Sequence, residues 1–393
     1  MTNPNQPTEQ SSTEQSSTYH NSQARRVGII GLGLIGGSIA LSLSGKFEVA
    51  GYDTDSATTQ TAQNMGIATA PNINDIISFA DIIMVCTPIA AFPDIVQLLA
   101  SSSQGYANQP RSKAPIVADT CSVKRYIHKW AEQLEGAGIR FVGTHPMAGK
   151  HTSGIRYAQA DLFMDHSWAV SITDSTDLAA LLEVSAIILS AGSTLVPVAP
   201  DTHDRSVALV SHLPHVIAAV MLKLLQVDGL SPLDRSLAAG SFNDITRVAG
   251  SPPDLSSQMC AANIDMLSES FQRFRAEIEL IGIALGELES APYALSDLFT
   301  HAHNAYSGMS KGMSKEAGDI NGIRDSHGAQ DVRRTGEPQY GAPHSAMFIL
   351  DDPQTLTNWM LGLGRDGGRI VGIGYPGPGE IAISFVLPDQ RAS

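Results

Sequence analysis

Basic residues are scarce in this chain. Lys and Arg number 25 against 39 Asp and Glu, a formal charge of −14 over 393 residues. An acidic chain repels phosphate backbones and no local basic patch offsets that, so a nucleic-acid partner is excluded from the reading. Cysteine is scarcer still. Cys86, Cys121 and Cys260 are odd in number and never spaced as CxxC. That argues against a disulfide framework or a zinc site, so no metal is expected, and it fits a reducing, cytoplasmic compartment. Long uninterrupted apolar runs are missing too. The stretch Val27–Leu43 behind Arg25-Arg26 imitates an export signal, but it carries five glycines and is too short to span a bilayer. A buried strand, loop and helix is expected there, and no membrane association. Charged residues are only 16% of the chain and apolar ones 43%, which excludes wholesale disorder and predicts two or three domains.

What is present divides the chain by period. Residues 1–24, rich in Ser, Thr, Gln and Asn, read as a disordered tail. Over 25–200 short apolar runs alternate with helical patterns. Strands are expected at Val27–Ile30, Phe47–Tyr52, Ile82–Cys86, Ile116–Ala118, Arg140–Val142 and Trp168–Ile172. Several are continuous runs, as in a parallel sheet covered on both faces, so this part reads as a doubly wound, Rossmann-like α/β domain. Over 201–306 the period becomes helical. Val207, Val210, Leu213, Ile217, Val220, Met221 and Leu224 mark one helix, kinked at Pro214, and Met259 to Ile281 a second. Apolar faces this wide suggest burial against a second subunit. Residues 307–344, rich in Gly, Ser and charge, read as a linker. Residues 345–393 read as a small β-α-β-β segment (Ala346–Leu350, Thr355–Leu363, Arg369–Gly374, Ile381–Leu387), too small for an independent core and expected to dock.

Five motifs carry chemistry. Gly31-Leu32-Gly33-Leu34-Ile35-Gly36 follows a strand and precedes a helix expected near Ser38, the context a dinucleotide-binding G-x-G-x-x-G needs. Gly31 permits the turn, Gly33 lets backbone N–H groups near Leu34 and Ile35 approach a pyrophosphate, and Gly36 lets the helix pack close. Asp53, ending the next strand, suits an adenine ribose 2′-hydroxyl. Thr54, Asp55 and Ser56 supply no base for a 2′-phosphate, so NAD is expected over NADP. Thr87, at the end of another strand, either contacts the dinucleotide or simply ends that strand. Asp119-Thr120-Cys121-Ser122-Val123-Lys124 and Thr144-His145-Pro146-Met147-Ala148-Gly149 each follow a strand and reach its carboxyl edge, where ligands bind. His145 there is a candidate proton acceptor. Ser122 orients that imidazole or hydrogen-bonds the substrate; Lys124 contacts the substrate, caps a helix or neutralises a carboxylate. Ser211-His212-Leu213-Pro214-His215 offers two histidines on roughly one face, pocket residues or core histidines. Phe242-Asn243-Asp244-Ile245-Thr246-Arg247 offers Arg247 for planar carboxylate recognition, or for a surface ion pair.

Taken together, GLGLIGGS (Gly31–Ser38), DTCSVK (Asp119–Lys124), THPMAG (Thr144–Gly149), SHLPH (Ser211–His215) and FNDITR (Phe242–Arg247) resemble the prephenate/arogenate dehydrogenase family of tyrosine biosynthesis. The resemblance runs from about Arg25 to Asn304, and the paired HPMAG and SHLPH motifs are far more specific than the glycine loop. It implies oxidative decarboxylation of prephenate to 4-hydroxyphenylpyruvate with NAD+ reduced. Carried over, His145 hydrogen-bonds the ring C4 hydroxyl, Ser122 assists it, Arg247 binds a substrate carboxylate, His215 lines the same pocket, and the helical half forms a homodimer. Loss of hydride and CO2 creates a phenol, so aromatisation supplies the driving force, and the protein supplies alignment and a group that accepts the hydroxyl proton on the way.

The sequence also departs from the family. His151 stands where many relatives carry Glu, Ser256 replaces a Trp and Gln258 an Asp, while Asn263 is kept. His327-Gly328 and the segment from Asp351-Asp352-Pro353 resemble the start of an ACT regulatory domain, with Gln354 in place of Gly. Arogenate, whose ammonium needs an acidic partner such as Asp244, is the alternative substrate. A β-hydroxyacid dehydrogenase or imine reductase would want a catalytic Lys on the helical half and gives no role to HPMAG or SHLPH. A dead dinucleotide sensor would not need His145, Ser122 and Arg247 together.

Overall fold

A computed structural model describes residues 25–102, 114–149, 152–227, 232–287, 289–314, 344–349, 353–377 and 379–388. The segment read as a tail, most of the linker, His151 and His327-Gly328 lie outside them.

Strands β1 (Arg26–Ile30), β2 (Glu48–Tyr52), β3 (Ile82–Val85), β4 (Ile116–Asp119) and β5 (Arg140–Val142) form a five-stranded sheet in the order β2-β1-β3-β4-β5. All its pairings are parallel. The continuous apolar runs follow from burial on both faces. Val27, Ile29, Ile82, Met84, Ile116 and Ala118 join one core cluster, and Ile30, Ile83, Val85 and Val117 the other. The latter cluster packs on α4 (Phe92–Ser102) and α5 (Arg125–Gly136) through Phe92, Val96, Leu99, Ile127 and Leu134. Helix α1 (Leu34–Leu43) is buried nearly all round, which its apolar sequence allows. It starts at Leu34, not near Ser38 as the glycines suggested. Gly33 takes the N-cap position with no side-chain cap, and Gly36 lies inside the helix.

The order reverses between β1 and β3, so their carboxyl ends open the crevice where open α/β sheets bind ligands. Helices α2 (Ser56–Asn64) and α3 (Ile73–Phe79) complete the crossover between β2 and β3.

The expected sixth strand of that sheet is not in it. At Gly143 the chain leaves β5 and enters β6 (Thr144–Pro146), the edge of a second sheet ordered β6-β7-β8-β10-β11-β9. The Trp168–Ile172 run is β7 (Ser167–Ser171), followed by α6 (Leu178–Ser190) and β8 (Thr194–Val198). Its continuous apolar run does not reveal which sheet it joins. Gly143 is needed at the crossing, since a Cβ there would lie 2.9 Å from His128 Nε2 and 3.2 Å from Ser171 Cβ. The remaining strands come from the C-terminus: β9 (His344–Ile349), β10 (Arg369–Gly374) and β11 (Glu380–Val386), with α14 (Pro353–Arg365). They join through an Ile370–Leu195 pairing of β10 with β8. Leu356, Met360, Ile370 and Ile381 share the core cluster of α6 and β8.

The helical half is α7 (Pro200–Val207), a π-helical turn over Ala208–His212, α8 (Leu213–Val227), α9 (Pro232–Leu237), α10 (Gly240–Thr246), α11 (Pro253–Ala262), α12 (Ile264–Gly286) and α13 (Ala291–Ser314). Pro214 has no N–H to give and its ring would strike a carbonyl one turn back. The widened π turn just before it absorbs both problems. Helix α13 continues to Ser314, so helix replaces the expected linker over 307–314. Residues 200–225 form one helical stretch containing an 18-residue window of mean hydropathy 1.7, 28% of that window being buried, long and apolar enough by length and composition to cross a membrane. That corrects the expectation that no stretch qualifies; the polar residues at its start and Pro214 had hidden its length.

Candidate active site

The glycine loop has distinct jobs for each glycine. Gly31 adopts φ +94°, donates its N–H to Tyr52 O at 2.8 Å, and has the Cys86 carbonyl oxygen 2.8 Å from where a Cβ would sit. At Gly36 a Cβ would fall 1.9 Å from Gly31 O, so the helix and the turn can touch only without a side chain. Beside Gly33 nothing lies within 4 Å, so the start of α1 is left open. Leu34 is core and Ile35 half-buried, so their backbone N–H groups, unmet by any cap, are what they offer a ligand. A helix start of this kind suits an anion.

Asp53 sits beside that loop, with Oδ2 accepting Leu32 N–H at 2.8 Å and Oδ1 accepting Asp55 N–H at 2.9 Å. Thr87 Oγ1 is buried and has no hydrogen-bond partner among the described residues, so it is free to meet a ligand. A cavity of about 520 Å3 is lined by Asp55, Thr58, Thr61, Ser153 and Arg156, among others. Arg156 lies on a wall of that cavity that includes neither Asp53 nor the glycine loop. These features fit the adenosine and pyrophosphate end of a dinucleotide.

Asp119 organises the next strand end. It accepts Lys124 Nζ, Cys121 N–H at 2.8 Å and Thr144 N–H at 3.0 Å, tying the DTCSVK turn to the THPMAG strand. Lys124 is therefore not at the substrate surface. Its side chain has no solvent exposure and its ammonium is consumed by Asp119 and the Thr144 carbonyl, which rules out substrate contact in this arrangement. Ser122 is half-buried on the same turn and makes no hydrogen bond to His145 among the described residues.

The imidazole of His145 is oriented by another histidine. His145 Nδ1 lies 3.0 Å from His203 Nε2, and His203 Nδ1 lies 2.7 Å from Asp204 Oδ1. Asp204, fully buried, also accepts Lys124 N–H at 2.7 Å and Arg125 N–H at 2.8 Å, so it caps α5. Burial pushes the His145 pKa well below the ordinary histidine value, helped by His203, Lys124 and His212. His203 is lowered by burial against the opposing pull of Asp204. His212, turned inward by the π turn, is lowered to about 4 by burial. Its Nδ1 lies 3.2 Å from Asn263 Nδ2, and its Nε2 is buried without a partner among the described residues. Asn263 also donates to Asp204 O at 2.8 Å.

His203 and Asp204 were missed by sequence reading. An adjacent His-Asp pair one turn after a helix-starting proline, inside an otherwise apolar rod, was the available signal.

His215 is half-buried, 3.4 Å from Ser256 Oγ, and its pKa is lowered by burial and then by Arg247. Arg247 is exposed and makes no ion pair among the described residues, with Asp244 or any other carboxylate. The two departures have structural places: Ser256 on His215, and Gln258, whose Oε1 accepts Ala90 N–H at 3.4 Å. The geometry thus gives a neutral imidazole held from behind, an unpaired guanidinium near a second histidine, and an open helix start.

Two family models match consecutive parts of the chain: the prephenate dehydrogenase nucleotide-binding domain over residues 39–196 and the prephenate dehydrogenase dimerization domain over 199–290. A prephenate dehydrogenase of Bacillus subtilis (strain 168) is 30% identical over 260 residues, covering 64% of this chain and 68% of the relative. The crystal structure of prephenate dehydrogenase from A. aeolicus in complex with hydroxyphenyl propionate and NAD+ superposes with TM-score 0.62 at 26% identity, over 72% of this chain and 98% of that one. That of Synechocystis arogenate dehydrogenase gives 0.57 at 26%, over 72% and 99%.

Proposed function

The chain belongs to the prephenate dehydrogenase family, and from that premise we propose that it catalyses the NAD+-dependent oxidative decarboxylation of prephenate to 4-hydroxyphenylpyruvate. The observation that carries the reading is the neutral, half-buried His145 on β6, just past the carboxyl end of β5.

The open start of α1 at Gly33, with Leu34 and Ile35 N–H groups, holds the pyrophosphate; Gly31 and Gly36 shape that turn. Asp53 meets the ribose and Thr87 the dinucleotide beyond it. A nicotinamide held there would supply the acceptor for the hydride of ring C4. His145 takes the hydroxyl proton, and because it is uncharged in the ground state it can do so. Ser122 hydrogen-bonds the substrate beside it. Arg247 grips a carboxylate, with His215 on the same wall. Departure of CO2 then completes the aromatic ring, and the phenolate oxygen so formed takes its proton back from His145, giving the phenol and restoring the neutral imidazole.

Prephenate is favoured because the buried carboxylates near the site are taken: Asp119 by Lys124, Asp204 by His203 and two backbone N–H groups. A keto side chain needs no acid. Arogenate is the second reading. Asp244, exposed and not paired with Arg247, is a carboxylate its ammonium could meet. Initial rates with each substrate, and with NAD+ and NADP+, decide it. Prephenate with NAD+ is expected to dominate, and a large preference for arogenate overturns the substrate assignment.

The working unit is a homodimer in the cytoplasm. Leu224, Ile278, Leu280, Ile283 and Phe299 are all more than half exposed on the helical half, an apolar surface of the kind that marks an association face.

A further inference from the structure

The hydrogen-bond chain behind His145 has a direction. Asp204 accepts from two backbone N–H groups at the start of α5, groups that can only donate, and a helix N-terminus favours the carboxylate. The contact at 2.7 Å with His203 Nδ1 therefore needs the proton on that nitrogen. A bare Nδ1 would set two lone pairs against each other. Burial keeps His203 neutral, and a neutral imidazole carries one proton, so His203 Nε2 is bare and can only accept. The partner across 3.0 Å, His145 Nδ1, must then be the donor. His145 is itself held neutral by burial, so its other nitrogen, Nε2, has no proton. Nε2 has no hydrogen-bond partner among the described residues, and it is the nitrogen left to meet a ligand.

We propose that His203 is a positioning residue that, with Asp204 behind it, locks His145 into its Nδ1–H tautomer and so leaves Nε2 as the proton-accepting atom. The inference rests on the reading of His145 as the base of the reaction. In that reaction the ring hydroxyl proton moves to His145 Nε2. The imidazolium so formed keeps its Nδ1–H on His203 Nε2, and the dipole of His203, fixed by Asp204, faces the new charge with its acceptor end. Free histidine side chains prefer the opposite, Nε2–H form. Without His203 the default tautomer would put a donor where an acceptor is needed, and the substrate hydroxyl could bind but not be deprotonated.

The test reads the tautomer directly. In the full-length protein with ¹⁵N-labelled histidine, long-range ¹H–¹⁵N spectra distinguish a bare from a protonated ring nitrogen, and the His145 signals are assigned by their loss in His145→Asn. Wild type is expected to show protonated Nδ1 and bare Nε2 at His145. His203→Gln, whose amide oxygen can still accept from His145, is expected to keep that pattern and most of the turnover. His203→Phe is expected to shift His145 toward Nε2–H and lower kcat roughly 10²-fold with KM little changed, short of the ~10⁴-fold loss that a wrong tautomer costs a triad histidine. A wild-type spectrum with Nε2 protonated overturns the proposal whatever the turnover. So does a His203→Phe protein that folds and leaves the His145 tautomer unchanged. If His203→Phe does not fold, the wild-type and His203→Gln spectra still decide. The spectrum is recorded without substrate, so failure of the reaction assignment would appear separately, as turnover retained in His145→Asn.

Discussion

Lys124 Nζ rests on the Asp119 carboxylate with neither side chain exposed, and the same ammonium holds the Thr144 carbonyl. One ion pair thus fixes the spacing between the Ser122 turn and the His145 strand. Removing one member leaves a buried charge unpaired, which typically costs about 3–5 kcal/mol. Lys124→Ala is expected to lower the denaturation midpoint by an amount of that order. A Lys124→Ala protein as stable as wild type, with KM alone raised, would return the residue to the substrate surface.

Two glycines of one motif should fail in different ways. Gly36→Ala drives a methyl into Gly31 O, so the loss is in folding and shows as a lower Tm. Gly33→Ala meets no atom within 4 Å among the described residues. Its Tm should stay near wild type while the apparent affinity for NAD+ falls, measured by titrating the cofactor at fixed substrate. Unchanged NAD+ affinity in Gly33→Ala would mean the pyrophosphate is held elsewhere.

Much of this was legible before any coordinates. The parallel sheet announced itself because both faces are buried, which forces apolar residues into unbroken runs such as Ile82–Val85. The glycine loop was legible because tight turns exclude side chains. Depth was not legible. Lys124 leaves substrate contact, a helix cap and a neutralised carboxylate equally open until Asp119, five residues earlier in the same motif, is seen to fold back on it. The switch of sheets at Gly143 was hidden because β7 has the same apolar run as a strand of the first sheet. His203 and Asp204 were hidden because a helical hydropathy pattern is read from its apolar positions, and these two polar residues lie on the same buried face as Val207 and Ala208. The residues drawn to a site by the pattern, His145 and Arg247, were visible; the one that orients His145 was not.

Arg247 makes no ion pair among the described residues and lies close enough to His215 to lower its pKa. A guanidinium in that state is available to a substrate carboxylate. Arg247→Gln removes a charged hydrogen bond of roughly 1.5–3 kcal/mol, so KM for prephenate should rise about 10- to 100-fold with kcat less affected. A variant with wild-type KM would assign the carboxylate to another group.

The helical half exposes Leu280 at 61% and Ile283 at 64% on α12, and Leu224 at 61% on α8. Burying each fully in a partner is worth about 1.5–3 kcal/mol, so a charge there should split an assembly. Sedimentation of the wild type is expected to give a dimer, and Leu280→Asp a shift toward monomer. If the wild type is monomeric at micromolar concentration, or is recovered with membranes through its 200–225 rod, the dimer assignment fails.

The acid side of the pH profile follows from burial. A histidine whose pKa is depressed keeps its bare nitrogen to lower pH, so the acid limb of kcat/KM should fall well below the ordinary value near 6.5, set by His145 among His203, Lys124 and His212. His145→Asn should lower kcat by about 10²–10⁴-fold, leave KM nearly unchanged, and abolish that limb. Stability has its own window. His128 and His212 have pKa values of about 4 when folded, against about 6.5 in an unfolded chain. Below 6.5 the unfolded state binds more protons than the folded one, so stability is full above 6.5, declines as pH falls, and stops declining below about 4. Each unit of difference is worth about 1.4 kcal/mol. Denaturation at pH 7, 5.5 and 4.5 should therefore show a falling midpoint, with His212→Asn flattening part of the slope. A midpoint independent of pH across that range would mean these histidines are not buried neutral in the native protein.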